Sequence, residues 1–433
     1  MDELTRRTFI AGATGAAAVA ATATRAEARP RTAAAPLPDP GGTDLDHIVV
    51  VMMENRSFDH YLGWLPGADG KQAGLSYLDR DGVAHATHHL TVPHGCGFND
   101  PDHSYEGGRT EFNNGACDGW LRAGDNDELS IGYFEADDLG FYGRAARDWT
   151  VCDRYFAAMM GPTFPNRFFL HSAQTDRLTT SITGIAQMPA IWDRLAAAGL
   201  SGRYFYSDAP VTALWGTRYL DISRPISEFY AGAAAGALPA VSYVDPGFLG
   251  GALFGDVNLG LSEDEHPVSD IRIGQSFLAR VYNAVVSSPR WDRTALIITY
   301  DEWGGFFDHV PPDVAPDPRP DLGTGLRGFR VPCLVISPRA GRGAVAHNTY
   351  DHTSVLKMIE WRFGLAPLTV RDSAARNLAE VLDFAGEPNL AAPHYTVPRP
   401  VTLGCILPDH THHGEDWAEL AHLADQRGFT VMS

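Results

Sequence analysis

Three stretches of this chain run from apolar residues straight into acids. HIVVVMMEN ends at Glu54 and Asn55, ALPAVSYVDP at Asp245, and TALIITYDE at Asp301 and Glu302. Brought to one edge of a sheet, such carboxylates repel strongly unless a cation neutralises them. An all-oxygen set suits a hard divalent ion such as Ca²⁺, Mg²⁺ or Mn²⁺, with Zn²⁺ open if a histidine joins. For a single acid a helix cap or a surface charge is the plainer role; repetition at three strand ends favours a metal.

A second constellation is GPTFPNRFFLHSA, in which Thr163 follows Gly-Pro and precedes a helix expected to begin near Pro165 and Asn166. Proline suits a first helical turn, and the open amides there attract an anion. Thr163 is then either an N-cap or, beside a metal, a nucleophile for phosphorus or sulfur; Asn166 is a candidate substrate contact. Four histidines, His103, His266, His309 and His352, each follow an acid directly in a polar loop or at a helix start. That setting suits phosphate contact, proton donation or a second metal. The groups His85, His88, His89 and His410, His412, His413 read as solvated loop residues, with adventitious metal binding as a minor alternative.

Something must hold these groups. Wholly apolar strands, with VPCLVISP as a fourth, are expected to be covered on both faces, and their carboxyl edge is where open α/β sheets bind ligands. Between them lie helical patterns in NRFFLHSAQT, MPAIWDRLAAAG and DIRIGQSFLARVYNAVVSS. The alternation predicts an α/β fold with a mainly parallel central sheet flanked by helices on both faces. The polar, Gly-rich section from about Gly67 to Ala145 reads as long loops over the sheet's carboxyl edge. Residues 371–433 read as an extension that wraps the same domain.

The amino end carries Arg6-Arg7 before a short, weakly apolar Ala/Gly stretch and A-x-A sites ending at Ala23 and Ala28. That pattern predicts a twin-arginine signal over 1–28, export by the twin-arginine machinery, and a secreted, surface or periplasmic protein. A Pro/Ala-rich linker over 29–43 comes next, then a catalytic domain over 44–370. No later apolar run is long enough to span a bilayer. A net charge of −19 disfavours nucleic acid and anionic bilayers as partners held by charge. Five cysteines lack any C-x-x-C spacing, so a cysteine-bound zinc is disfavoured; export permits a disulfide, and Cys96 with Cys117 is the favoured pair because both flank one polar loop.

The motifs MMENRSFDHYLG, PDHSYEG, GPTFPNR, DEHPVSDIRIG, YDEWGGFFDHVPP and DHTSVLKMIEWRFGL resemble, in order, those of the bacterial phosphoesterase family, from about Asp46 to Leu365. That family contains secreted phospholipases C and a related acid phosphatase on an alkaline-phosphatase-like fold. The resemblance implies that Glu54, Asn55, Asp301 and Glu302 bind one metal with Thr163 as fifth ligand and nucleophile. It implies that His103, His266 and His352 contact the phosphoryl group or protonate the leaving alcohol, with His309 and Asn166 near the substrate. Asp245 receives no role. Two departures stand out: Trp303 replaces a histidine found in some members, and the chain ends soon after the catalytic motifs, where phospholipases of the family carry added C-terminal modules. The expected activity is phospholipase C-type hydrolysis of a phosphate ester, with phospholipid among the candidate substrates, through a phosphothreonine. A phosphomonoesterase is the alternative, and a non-catalytic exported metal-binding or surface protein is the alternative of another class.

Overall fold

The computed structural model describes residues 36–250, 260–402, 404–405 and 413–431. The signal over 1–28, His410 and His412 lie outside the described residues. An eight-stranded sheet organises the chain, with strands β1 (His47–Met53), β2 (Thr150–Cys152), β3 (Gly202–Tyr206), β4 (Ser223–Pro225), β5 (Val241–Asp245), β6 (Thr294–Tyr300), β7 (Cys333–Ile336) and β8 (Val345–Ala346). Their order across the sheet is β8-β2-β7-β6-β1-β5-β3-β4. All four strands expected from apolar runs form, and β1 lies at the centre between β6 and β5, parallel to both. β7 runs antiparallel to both of its neighbours, so the sheet is mainly rather than wholly parallel.

Every residue from Ile48 to Met53, and every residue of β6, is buried. Successive side chains point to opposite faces, so burial of all of them means that both faces are covered. Each such Val, Ile or Leu contributes roughly 1.5–3 kcal/mol by leaving water. Register then decides what happens at the edge. Met53 pairs with Tyr300, and Val51 with Val244, so Glu54 and Asp301 leave adjacent strands side by side, with Asp245 closing the next one.

Three helices carry or flank the candidate residues: α1 (Thr163–Ser172), α2 (Ile271–Val286) and α3 (His352–Phe363). The first begins earlier than the sequence suggests. Pro162 is the cap and Thr163 the first helical residue, and Pro165 falls within the first turn, where its missing N–H costs nothing. Helix α3 begins at a capping box formed by Asp351 and Ser354.

The section 67–145 is more ordered than expected, since it contains helices Tyr105–Phe112 and Tyr142–Asp148 and short strand pairs. His85 and His89 are paired with acids rather than merely solvated, each 2.8 Å from its partner, Asp79 and Asp138 respectively.

The disulfide joins Cys96 to Cys405, not to Cys117. Cys117 adopts a left-handed backbone, φ 52°, and turns into an aromatic cluster with Trp120 and Phe307, away from Cys96. Flanking a common loop did not bring their β-carbons together, whereas the C-terminal segment returns past Val268 and delivers Cys405. Farther on, Trp417 of the helix His413–Gln426 is fully buried and stacks on Phe248 at 3.6 Å between ring centres. Trp417 and Leu420 of that helix thus pack in the same core as the sheet.

Candidate active site

Glu54, Asn55, Asp301 and Glu302 are all fully buried at the carboxyl ends of β1 and β6. Asn55 takes a left-handed backbone, φ 60°, a conformation that asparagine tolerates better than most residues. Gly304 fits against it. A Cβ on Gly304 would stand 2.3 Å from the Asn55 carbonyl oxygen, which explains the glycine in the DEWGG run.

Among these acids lies a group that local pattern left without a role. Arg167, four residues after Thr163 and on the same face of α1, is buried and reaches Glu54 Oε1 at 3.2 Å, Asp245 Oδ2 at 3.1 Å and Asp301 Oδ2 at 3.3 Å. Asp245, unassigned from sequence, therefore anchors Arg167, and the Tyr204 hydroxyl donates to the same carboxylate. Burial opposes the guanidinium charge, yet the three acids outweigh it and hold Arg167 charged. The only advance signal was the position of Arg167 inside GPTFPNR, one helical turn below the hydroxyl.

Three carboxylates engage this one guanidinium, so negative charge remains in excess. Burial, then the charge of Glu54, pushes Asp301 up to about 7. Burial and the neighbouring Asp301 raise Glu302 well above the usual carboxylate range. Asn55 Oδ1 and Glu302 Oε1 are buried with no hydrogen-bond partner among the described residues. Orphaned, charge-crowded oxygens of this kind fit a bound divalent cation.

The histidines divide. His103 donates from Nδ1 to the Pro101 carbonyl at 2.7 Å, which leaves Nε2 facing Asn55 Nδ2 at 3.3 Å and Glu302 Oε1 at 3.9 Å. His266 Nε2 lies 3.5 Å from Asp100 Oδ2, and its ring centre is 5.8 Å from that of His103. Asp100, His103 and His266 offer ligand atoms all within 4.8 Å of one another, a further set suited to a cation or a phosphoryl group. Asp100 was missed from sequence because nothing in FNDPDHS separates it from Asp102.

His352, at the start of α3, donates from Nε2 to the Asp301 carbonyl at 2.6 Å and accepts from the Tyr155 hydroxyl at Nδ1, 3.2 Å away. Burial pushes it down to about 4, so the ring is neutral at physiological pH. His309 is placed elsewhere. It bonds Asp59 at 2.5 Å and Asp69 at 3.2 Å, beside Asp308 and Arg330. Asn166 is turned into its own loop: Oδ1 accepts from Met159 N at 2.9 Å, and Nδ2 donates to the Gly161 carbonyl at 2.7 Å. It shapes the turn that delivers Thr163. Trp303 is fully buried and donates to Glu111 at 2.7 Å.

Residues 45–366 match the model of the phosphoesterase family, and the chain belongs to that family. It is 33 % identical to phospholipase C B of Mycobacterium tuberculosis over 92 % of this chain and 89 % of that protein. It is 29 % identical to non-specific phospholipase C6 of Arabidopsis thaliana, over 83 % and 75 % respectively. Among solved structures, the phosphonate monoester hydrolase of Agrobacterium radiobacter aligns over 79 % of this chain and 78 % of that one, at 12 % identity and a TM-score of 0.36. The protein is an ester-bond hydrolase of the phosphoric ester class. No helix among the described residues is long and apolar enough to cross a membrane.

Proposed function

We propose that this protein hydrolyses phosphodiesters in the manner of a phospholipase C, with Thr163 as nucleophile. The observation that carries the reading is that Thr163 begins a helix whose Arg167, one turn on, engages the strand-end acids Glu54, Asp245 and Asp301. Glu54, Asn55, Asp301 and Glu302 would hold a divalent cation, which when bound lowers the pKa of a hydroxyl and balances phosphoryl charge.

The chain's own groups supply the rest. Amides of the first turn of α1 have no intrahelical partners and face an anion placed at Thr163. Thr163 Oγ1, its hydroxyl proton released to solvent, attacks phosphorus in line; the O–P bond to the leaving alcohol breaks and the alcohol takes a proton from Nε2 of His103 or His266. Water then attacks the phosphothreonine, the same histidine accepts its proton, the bond between phosphorus and Thr163 Oγ1 breaks, and the hydroxyl recovers a proton from solvent. Arg167 holds Glu54 and Asp301 in place. With both ring nitrogens bonded to protein groups, His352 fixes the Asp301 backbone and leaves proton transfer to the other two. The names of the mycobacterial and plant relatives support a phospholipid-like diester over a monoester. We infer export as well, which the Arg6-Arg7 signal supports and a Cys96–Cys405 disulfide suits.

The test compares nitrophenyl phosphorylcholine with nitrophenyl phosphate, for the wild type and Thr163→Ala, with and without chelator. Preferential diester turnover, abolished by the substitution and by chelator, is expected. Preferential monoester turnover favours the phosphatase alternative, and undiminished turnover by a folded Thr163→Ala protein removes the mechanism.

A further inference from the structure

Glu265 is an outlier on two counts. It is a buried carboxylate, and its backbone is left-handed at φ 74°, a strained conformation for a non-glycine residue that persists only where the surroundings impose it. The surroundings are well defined. Arg56 Nε donates to the Glu265 carbonyl at 2.8 Å, Gln275 Nε2 donates to Oε1 at 2.7 Å, and the Tyr300 hydroxyl donates to Oε2. One residue earlier, the Asp264 carbonyl accepts from Glu54 N at 2.9 Å.

Two of these partners adjoin the site. Arg56 follows Asn55, and Tyr300 precedes Asp301. Arg56 is itself immobilised: its Nη1 donates to His60 Nε2 at 3.0 Å, while His60 Nδ1 donates to the Gly132 carbonyl at 2.7 Å. Helix α2 makes room for the carboxylate at Gly274, where a Cβ would stand 2.1 Å from Glu265 Cγ, a contact no side chain tolerates. The turn that carries His266 is therefore pinned to the ends of both strands that bear the proposed metal ligands.

We infer that Glu265 is a positioning residue for the reaction: by joining Arg56 and Tyr300 it fixes the turn that aims the His266 imidazole at the phosphoryl group. The inference rests on the proposed role of His266. It assigns Glu265 no contact with substrate, and so separates it from the residues that do the chemistry.

A double-mutant cycle on the full chain tests it, with Glu265→Gln, His266→Ala and the double variant assayed on nitrophenyl phosphorylcholine. Glu265→Gln is expected to lower kcat by about 10- to 100-fold, the range for a misplaced catalytic group, with KM within about twofold of wild type. In the His266→Ala background the same substitution is expected to cost nothing further. Equal losses in both backgrounds, or full kcat in folded Glu265→Gln, overturn the inference while the role of His266 stands. Full activity in His266→Ala overturns that role itself, and this inference with it. Tyr300→Phe, which removes one donor and keeps the ring, guards against misfolding of Glu265→Gln. It is expected to lower kcat in the wild type and not in His266→Ala, and a fully active Tyr300→Phe contradicts the pinning.

Discussion

Asp351 links the stability of the fold to the site, and replacing it with asparagine gives a worked test. The residue is buried and caps α3, whose first residue is His352. Its Oδ2 accepts from Arg327 Nε at 2.7 Å and Arg371 Nη2 at 3.3 Å, while Oδ1 accepts from Thr353 N at 2.9 Å. An amide in its place keeps the cap acceptor but leaves two guanidinium groups without their charge partner. Removing one member of a buried pair costs about 3–5 kcal/mol, and because Arg327 keeps Asp313, the lower end, about 3 kcal/mol, is expected.

The pH dependence comes from the sign of the shift. Burial opposes ionisation of Asp351, but the charges of Arg371 and Arg327 and the Thr353 hydrogen bond outweigh it and hold its pKa below the ordinary 3.8. A depressed carboxyl contributes stability that is present above the unfolded value and is lost as pH falls through the folded one. Urea unfolding of wild type and Asp351→Asn at about pH 7 and about pH 3 reads this directly. The gap is expected to be about 3 kcal/mol at the higher pH and to shrink at the lower. A gap below about 1 kcal/mol at neutral pH, or one that does not change with pH, refutes the electrostatic reasoning.

Arg167→Met leaves Glu54, Asp245 and Asp301 crowded, so in chelator it is expected to lose about 3–5 kcal/mol by urea unfolding, and added divalent metal to restore part of that; wild-type stability would contradict the assignment. Cys96→Ser removes a link between residues 309 apart and is expected to cost about 2–5 kcal/mol, with Cys117→Ser having a much smaller effect. If Cys117→Ser is the more damaging of the two, the disulfide pairing is wrong.

Much of this was legible in the sequence where local pattern suffices. Apolar runs of strand length marked β1, β5, β6 and β7, and the acids at the ends of β1, β5 and β6 marked the sheet edge, because the chain passes from core to ligand side within one residue of Met53 and Tyr300. What stayed hidden depends on pairings between distant segments. The reversed direction of β7, the short strand Gly202–Tyr206 and the return of Cys405 to Cys96 leave no local period. Arg167 was invisible for a related reason: on a helix it reads as a surface cation, and only the register of β1, β5 and β6 sets three acids around it. His309 lies apart from the strand-end acids, held by Asp59 and Asp69, a separation that an acid-paired histidine in a polar loop does not reveal.

The most direct measurement of the central claim is to mix the protein with nitrophenyl phosphorylcholine, quench in acid during turnover, digest, and weigh the peptide that spans GPTFPNR. Phosphocholine attached to Thr163, absent without substrate and absent in Thr163→Ala, is the predicted result. Turnover at full rate with that peptide unmodified at every quench time, and with the label on another residue or on none, would contradict it.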